Sequence, residues 1–235
     1  METILKLWRE DGVPSDVPLM NTESNVSWAL TDPMQDLFAG LWLADSVGAF
    51  LTYGGPGAVY YHSPIQPEPL RPGCHAWSTY GNFVADEKLK IRQHTAQYFA
   101  SQLLNLDWVK HGAGTHQLYS AKVDLQDEAG HTLITAYAAK RPDGEWSLLL
   151  INKDPSNAHE VTIQFKDGDK EALRFTGNVK QATFGAAEYA WHPAGPASNA
   201  DPAGPAKTSQ WPWKEGQKVL LPKASVNVLT GTVTH

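Results

Sequence analysis

The chain of 235 residues has the composition of a globular protein, with 42% hydrophobic and 19% charged residues. Its net charge of -6 and the lack of any basic run argue against a nucleic-acid-binding protein. Cys74 is the single cysteine, which excludes an internal disulfide and a cysteine-based zinc site.

Metal and membrane sites are not indicated either. The nine His residues are scattered, and none pairs with another His or Cys at ligand spacing on one element, apart from the loosely placed Cys74 and His75. No metal or other cofactor is therefore predicted. No uninterrupted apolar stretch approaches the ~20 residues that span a bilayer, so no membrane partner is predicted. Charges among the apolar residues of 1–12 are wrong for a secretion signal, and the cellular compartment stays open.

Aromatic residues are more informative, since the chain contains nine Trp and eight Tyr. Many aromatic residues are buried in cores, but Trp and Tyr are also the faces on which sugar rings stack. The composition therefore weakly favours a carbohydrate ligand.

The first elements lead to a polar cluster around Glu23. Residues 1–12 predict an amphipathic helix, and the apolar run Val17–Met20 predicts a buried strand that ends in Asn-Thr-Glu-Ser-Asn at 21–25. A carboxylate at the carboxyl end of a buried strand is where a parallel α/β barrel keeps its reacting groups. The alternative is a helix start, with Thr22, Ser24 or Asn25 as the cap. Glu23 is the candidate catalytic residue.

A helix and a second strand follow. Asp32–Leu51 predicts a helix that is apolar on most faces, with Asp32 as its cap. A glycine-rich break leads to the strand Ala58–Tyr61. Strand, helix and strand form one parallel unit, so Tyr60, Tyr61 and His62 are expected beside Glu23 at one carboxyl edge.

The remainder of the chain changes character after one more helix, predicted at Asp86–Trp108. From Thr115 onward, alternating apolar residues and turn signals predict an antiparallel β-sandwich. The segment Pro193–Ala206 is rich in Pro, Gly and Ala and predicts a long surface loop. The predicted strands are His116–Leu125, His131–Arg141, Trp146–Asn152, His159–Phe165, Asn178–Ala182 and Val219–Thr230.

The predicted fold class is therefore α/β plus all-β. A partial (β/α) barrel segment at 1–112 is followed by an antiparallel β-sandwich at 113–235. Two parallel strands cannot cover these apolar helices, because parallel sheets are stable as larger sheets buried on both faces. We therefore expect a homo-oligomer, or complementation by a missing barrel portion.

The order of these elements resembles a known family. The Thr-Glu-Ser-Asn cluster, the helix with LWLADSVGAFL, the strand ending in AVYYH and the closing LPKASVNVLTG are similar to the carboxyl-terminal part of retaining glycoside hydrolases with a barrel and a sandwich. The β-xylosidase and α-L-arabinofuranosidase branches of that barrel clan look nearest.

The resemblance implies a role for each matching residue. Glu23 would be the nucleophile that ends the seventh barrel strand, and Tyr60, Tyr61 and His62 would be aromatic subsite residues that end the eighth. The pocket is expected to bind carbohydrate through the following residues: Asn21, Asn25, Trp28, Tyr60, Tyr61, His62, His75 and Trp77. The implied activity is hydrolysis of plant-type polysaccharide or oligosaccharide glycosidic bonds by a retaining mechanism.

One departure from the family weakens this expectation. The family's acid/base Glu follows an Asn at the end of the fourth strand, and this sequence has no Asn-Glu pair. A retaining glycosidase needs that second carboxylate, and Asp32, Glu68 and Asp86 are its possible substitutes. The alternative is a non-catalytic accessory module from a truncated glycosidase, in which exposed Trp residues of the sandwich would stack sugars: Trp146, Trp191, Trp211 and Trp213.

Overall fold

The computed structural model of the protein describes residues 2–61, 67–74, 76–166 and 173–234. Over these residues the chain is mostly β-structure, and none of the helices has the length and apolar character to cross a membrane. The helices are α1 (Glu2–Glu10), α2 (Leu37–Tyr53) and α3 (Ala96–Gln102), with a 3₁₀ turn at Asp32–Met34 and a π-helical segment at Leu103–Trp108.

The strands are short in the first part of the chain and longer in the second. In chain order they are β1 (Met20–Asn21), β2 (Val59–Tyr60), β3 (Pro67–Pro69), β4 (Arg71–Pro72), β5 (Trp77–Ser78), β6 (Phe83–Ala85), β7 (Ile91–His94), β8 (Gln117–Ser120), β9 (Ile134–Lys140), β10 (Trp146–Asn152), β11 (His159–Thr162), β12 (Arg174–Gly185), β13 (Tyr189–His192), β14 (Asn199–Ala203), β15 (Lys207–Pro212), β16 (Lys218–Leu221) and β17 (Ser225–Thr234).

Two compact units make up the chain. The first contains Met1–Phe99 and Tyr189–Ala203, and the second contains Ala100–Glu188 and Gly204–His235. The units change at residue 99, whereas the sequence places a domain boundary at 112, and that functional division stays a prediction. The segment 193–206 is not the predicted loop throughout, because β14 pairs with β13 and the Ala200 N–H donates to Gln93 Oε1 at 3.1 Å.

The first unit contains the predicted parallel strand–helix–strand arrangement. β1 and β2 pair in parallel, with Met20 opposite Val59 and Asn21 opposite Tyr60, and α2 connects them. The helix begins later than predicted, because the side chain of Asp36 rather than Asp32 caps it by accepting the Phe38 N–H at 2.8 Å. The sequence pattern therefore predicts this strand–helix–strand arrangement correctly, with an error of about one turn at the helix start.

The predicted burial of the strand Val17–Met20 is wrong. The strand is Met20–Asn21, and the side chains of Val17 and Met20 are exposed, with 64% of the Met20 surface accessible. In the described part of the chain, this sheet has two strands. An apolar strand is buried only when a neighbouring layer covers it. The helix α2 packs against Tyr60 of β2, but no described layer covers Val17 and Met20.

The Asp36 cap gives a testable pH dependence. Burial raises the pKa of Asp36 from its ordinary value near 4 to about 6, although hydrogen bonds from Phe38 and Ala39 oppose the shift. The folded state therefore holds this proton more tightly than the unfolded state. Its contribution to stability is present below about pH 4 and is lost as the pH rises through 6.

We expect Asp36→Asn to remove this pH-dependent contribution to stability, because Asn does not titrate. The helix cap should be kept, because Asn is as good a cap as Asp. Urea unfolding between pH 4 and pH 7 should show stability falling less steeply in the variant than in the parent chain. Parallel pH profiles for the two proteins would contradict the assignment.

The single helix predicted at Asp86–Trp108 is confirmed only over 96–108, where α3 and the π-helical segment lie, and is wrong over 86–95. Asp86 instead starts a tight turn, where its Oδ1 accepts the N–H groups of Lys88 and Lys90, both at 2.9 Å. Residues 91–94 then form β7, which pairs antiparallel with β6. Pairing in the folded unit has overridden the helical spacing of this segment.

The second unit contains the predicted antiparallel sheet. Its six strands follow the order β15, β12, β17, β10, β9, β8, and β10 spans the predicted range Trp146–Asn152. Strands β11 and β16 form a second, two-stranded sheet. The core of this sandwich-like unit consists of Ile134, Ala138, Leu148, Leu150, Phe165, Phe175, Val179, Val219, Leu221 and Leu229.

The tryptophans of this unit are not the exposed platforms that the accessory-module alternative predicts. Trp146, Trp211 and Trp213 are half-buried and pack against the core. Trp146 meets Phe165 edge to face at 5.3 Å between ring centroids, and Trp213 meets Phe175 at 5.2 Å. Their indole rings are used in packing, because edge-to-face pairs stabilise aromatic cores.

Candidate functional site

The carboxyl ends of β1 and β2 lie side by side, as the sequence predicts. Besides the strand pairing, the Tyr61 N–H donates to the Asn21 carbonyl at 2.9 Å. The segment after β1 contains Glu23, whose side chain is exposed. Among the described residues, nothing forms a hydrogen bond or an ion pair with Glu23. Its carboxylate is therefore open to an approaching ligand.

Tyr60 anchors the residue that follows Glu23. Ser24 Oγ donates to the Tyr60 hydroxyl at 2.6 Å. Burial raises the pKa of Tyr60, while hydrogen bonds from Ser24 and Ser46 oppose the shift. Tyr60 is thus a neutral phenol that positions the loop, and its ring contacts Phe50 of α2 at 5.5 Å between centroids.

The two asparagines that flank Glu23 differ in their hydrogen bonding. The Asn25 Oδ1 accepts the Gln97 amide at 2.9 Å and the Val26 N–H at 2.8 Å, and its Nδ2 donates to the Tyr80 carbonyl at 3.2 Å. The Asn21 Oδ1 is buried without a donor among the described residues. A buried acceptor without a partner is unfavourable. Asn25 is therefore an anchor, and Asn21 has a free acceptor.

Trp28 is the most exposed aromatic side chain of the described residues, with 91% of its surface accessible. Its backbone is nevertheless fixed, because the Tyr80 hydroxyl donates to the Trp28 carbonyl. A large indole held in the open on an anchored backbone is a suitable surface for stacking a sugar ring.

The other predicted pocket residues are less closely connected to Glu23. Tyr61 is exposed beside β1, and Trp77 is half-buried in β5, which pairs with β4. His62 and His75 lie outside the described residues. Within the part of the chain that the structure describes, no cluster of His, Cys, Asp or Glu has the arrangement of a metal site.

Sequence reasoning missed Tyr80, Gln97 and Gln35. Gln97 is in the first turn of α3, and Gln35 is fully buried, where its Nε2 donates to the Thr79 carbonyl at 2.6 Å. Gln97 and Tyr80 both contact Asn25, which is 72 and 55 positions away from them in the sequence, respectively. A single polar residue at such a distance leaves no periodic signal, although the polar run Ser78–Asn82 marks the segment that contains Tyr80.

Comparison with known proteins identifies the fold but no family. A scan against protein-family models gave no match, and a search of curated proteins gave none either. The solved structures include a GH30 endoxylanase from Clostridium papyrosolvens, at 12% identity and a TM-score of 0.57, over 99% of this chain and 46% of that one.

Two further structures agree with this result. The GH51 α-L-arabinofuranosidase from Thermotoga petrophila is similar at 13% identity and a TM-score of 0.58, over 97% of this chain and 46% of that one. CelM2, a bifunctional glucanase-xylanase from a metagenome library, is similar at 18% identity and a TM-score of 0.53, over 100% of this chain and 34% of that one. The chain thus shares the fold of a part of these glycoside hydrolases and spans less than half their length.

Proposed function

We propose that this chain is the nucleophile-bearing part of a retaining glycoside hydrolase, with Glu23 as the nucleophile. The observation that carries the proposal is the exposed Glu23 directly before the anchored residues Ser24 and Asn25, at the carboxyl edge of a parallel strand pair. The similar fold of xylanases and arabinofuranosidases supports it. The proposed substrate is a plant-type polysaccharide or oligosaccharide.

The proposed chemistry has two steps. In the first, a carboxylate oxygen of Glu23 attacks the anomeric carbon, and the bond from that carbon to the leaving oxygen breaks. In the second, water releases the sugar from Glu23. A second carboxyl group, about 5 to 5.5 Å away in retaining enzymes, protonates the leaving oxygen and then accepts a proton from the water.

The source of that second carboxyl group is part of the proposal. Asp86 already accepts two N–H groups in its own turn, and Glu68 accepts the Thr79 hydroxyl at 3.2 Å. Asp32 lies at the start of the 3₁₀ turn. We place the acid/base residue on a further barrel portion, in this or another polypeptide, because Asp86 and Glu68 are used in local hydrogen bonds and no described contact connects Asp32 to Glu23.

The sugar contacts follow from the exposed groups near Glu23. Trp28 would stack on a sugar ring. The proposed role of Asn21 rests on the sequence resemblance, because its Oδ1 is buried. Tyr61, which is exposed beside this edge, would extend the aromatic surface. The proposed roles of the remaining pocket residues, His62, His75 and Trp77, rest on the sequence resemblance.

The exposed apolar residues of the first unit support a covering partner. Met20 and Val59 face each other across β1 and β2 and are both exposed, as are Leu7 and Trp8 of α1. We propose that a second copy or a further barrel portion covers them. Light scattering should detect self-association that the double substitution Met20→Lys and Val59→Lys reduces. A monomer at every concentration would refute association between copies.

The direct test of function is a panel of nitrophenyl glycosides. Activated aryl glycosides need little protonation of the leaving group, so a half-site can still cleave them at a rate about 10² to 10⁴ below that of a complete site. The proposal predicts release of nitrophenol from at least one pentoside or hexoside. Release from none, with binding of polysaccharide detected by tryptophan fluorescence, would favour a binding module instead.

A further inference from the structure

We propose that Gln97 and Tyr80 are positioning residues that hold the segment Glu23–Trp28, here called the anchored segment, in one conformation. Gln97 acts through Asn25 on the carboxylate of Glu23, and Tyr80 acts through the Trp28 carbonyl on the Trp28 ring. This inference rests on the proposed glycosidase function and adds to it two residues that do not touch the substrate.

Gln97 is more deeply buried than Asn25, the residue that it holds. Its side chain is 1% exposed, in the first turn of α3, and its Nε2 donates to Asn25 Oδ1 at 2.9 Å. The same Asn25 oxygen accepts the Val26 N–H at 2.8 Å. The Gln97 carboxamide therefore holds the Asn25 side chain, and that side chain in turn holds the backbone at Val26. Because Asn25 is two residues from Glu23, this contact restricts the backbone from which the Glu23 side chain projects.

Tyr80 holds the segment at two points. Its carbonyl accepts Asn25 Nδ2 at 3.2 Å, and its hydroxyl donates to the Trp28 carbonyl three residues further on. The backbone on either side is itself fixed, since Gln35 donates to the Thr79 carbonyl and the Gly81 N–H donates to Thr79 Oγ1 at 3.3 Å. Tyr80 thus connects the anchored segment to buried structure.

The two contacts have separable consequences. Loosening Asn25 would misdirect the nucleophile, and a misplacement of about 1 Å can cost about 10²-fold in rate. Loosening the Trp28 carbonyl would instead disorder the stacking surface, which weakens substrate binding. We therefore expect the loss of Gln97 to lower kcat and the loss of the Tyr80 hydroxyl to raise KM.

The test compares Gln97→Met with Tyr80→Phe, which remove hydrogen bonds and keep the side-chain size. Gln117→Met and Tyr119→Phe are matched controls, because these side chains hydrogen-bond to each other on exposed β8 of the second unit. Asn25→Ala removes the Gln97 contact from its other side and replaces Gln97→Met if that variant does not fold. The substrate is the nitrophenyl glycoside that the parent chain cleaves best.

Hydrogen exchange measures the anchoring without any need for activity. We expect the amides of residues 24–29 to exchange at least about tenfold faster in Gln97→Met and in Tyr80→Phe, and at an unchanged rate in both controls. Unchanged exchange in the two variants would overturn the anchoring itself. This result does not depend on whether the chain is a glycosidase.

Kinetics then test the division of roles. We expect Gln97→Met to lower kcat about 10- to 100-fold with KM within twofold of the parent value. Tyr80→Phe should raise KM about fivefold and leave kcat within twofold. The positioning roles would be overturned if kcat and KM changed equally in both variants. They would also be overturned if hydrogen exchange became faster while kcat and KM stayed unchanged. A parent chain without turnover would overturn the proposed function and these roles together, and hydrogen exchange would then still decide the anchoring.

Discussion

Glu23→Gln is expected to lower the hydrolysis of activated aryl glycosides by roughly 10³-fold or more while folding is retained. The amide cannot attack the anomeric carbon, so the covalent step is lost. Folding should be unaffected because the Glu23 side chain is exposed and no described residue pairs with it. The measurement is steady-state release of nitrophenol by the parent and variant chains at equal concentration.

The matched control is Glu128→Gln, an exposed carboxylate in the turn 127–130 of the second unit. It changes the net charge by the same amount and should leave turnover within twofold. Circular dichroism and the binding of a non-hydrolysed sugar should be the same in all three proteins. Activity that persists in Glu23→Gln would show that another group is the nucleophile.

Trp108→Ala is expected to cost about 3 to 5 kcal/mol in the free energy of unfolding. Trp108 is fully buried at the end of the π-helical segment, and its carbonyl accepts the Ser147 hydroxyl at 2.5 Å, which ties the segment to β10. The substitution leaves a cavity of indole size in the second unit. Urea unfolding followed by far-ultraviolet circular dichroism measures the loss.

Two companion variants separate packing from helix propensity. Leu106→Ala lies on the same segment but is exposed, and it should change the free energy of unfolding by less than about 0.5 kcal/mol. Trp108→Phe should cost less than Trp108→Ala, because it keeps most of the packing and removes an indole N–H that is buried without a partner among the described residues. Equal losses for Phe and Ala at 108 would contradict the packing argument.

Local patterns predicted much of the fold. Apolar spacing placed the helix that became Leu37–Tyr53, and alternation placed Trp146–Asn152 at its observed bounds. The strand–helix–strand rule also predicted the parallel pairing of β1 and β2. These elements share a property: the residues that decide them are neighbours in the sequence.

The errors arose where distant contacts decide the structure. The apolar residues of 86–108 have helical spacing, yet residues 91–94 form a strand that pairs with β6. Burial of Val17 and Met20 was predicted from their apolar character, but burial depends on a covering layer that the described residues do not include. At the site, Glu23 and Trp28 were predicted from residue type. The contacts of Asn25 with Gln97 and Tyr80 were not, since they join residues more than 50 positions apart.

Intact-protein mass spectrometry after mixing the chain with dinitrophenyl glycosides tests directly whether Glu23 is a nucleophile. The aryloxide leaves without protonation, and without an acid/base residue the glycosyl-enzyme should accumulate. We expect one sugar per chain, attached to the peptide that contains Glu23 and missing in Glu23→Gln. An unmodified chain with every sugar tested, or an adduct on a different peptide, would contradict the assignment of Glu23 as a glycosidase nucleophile.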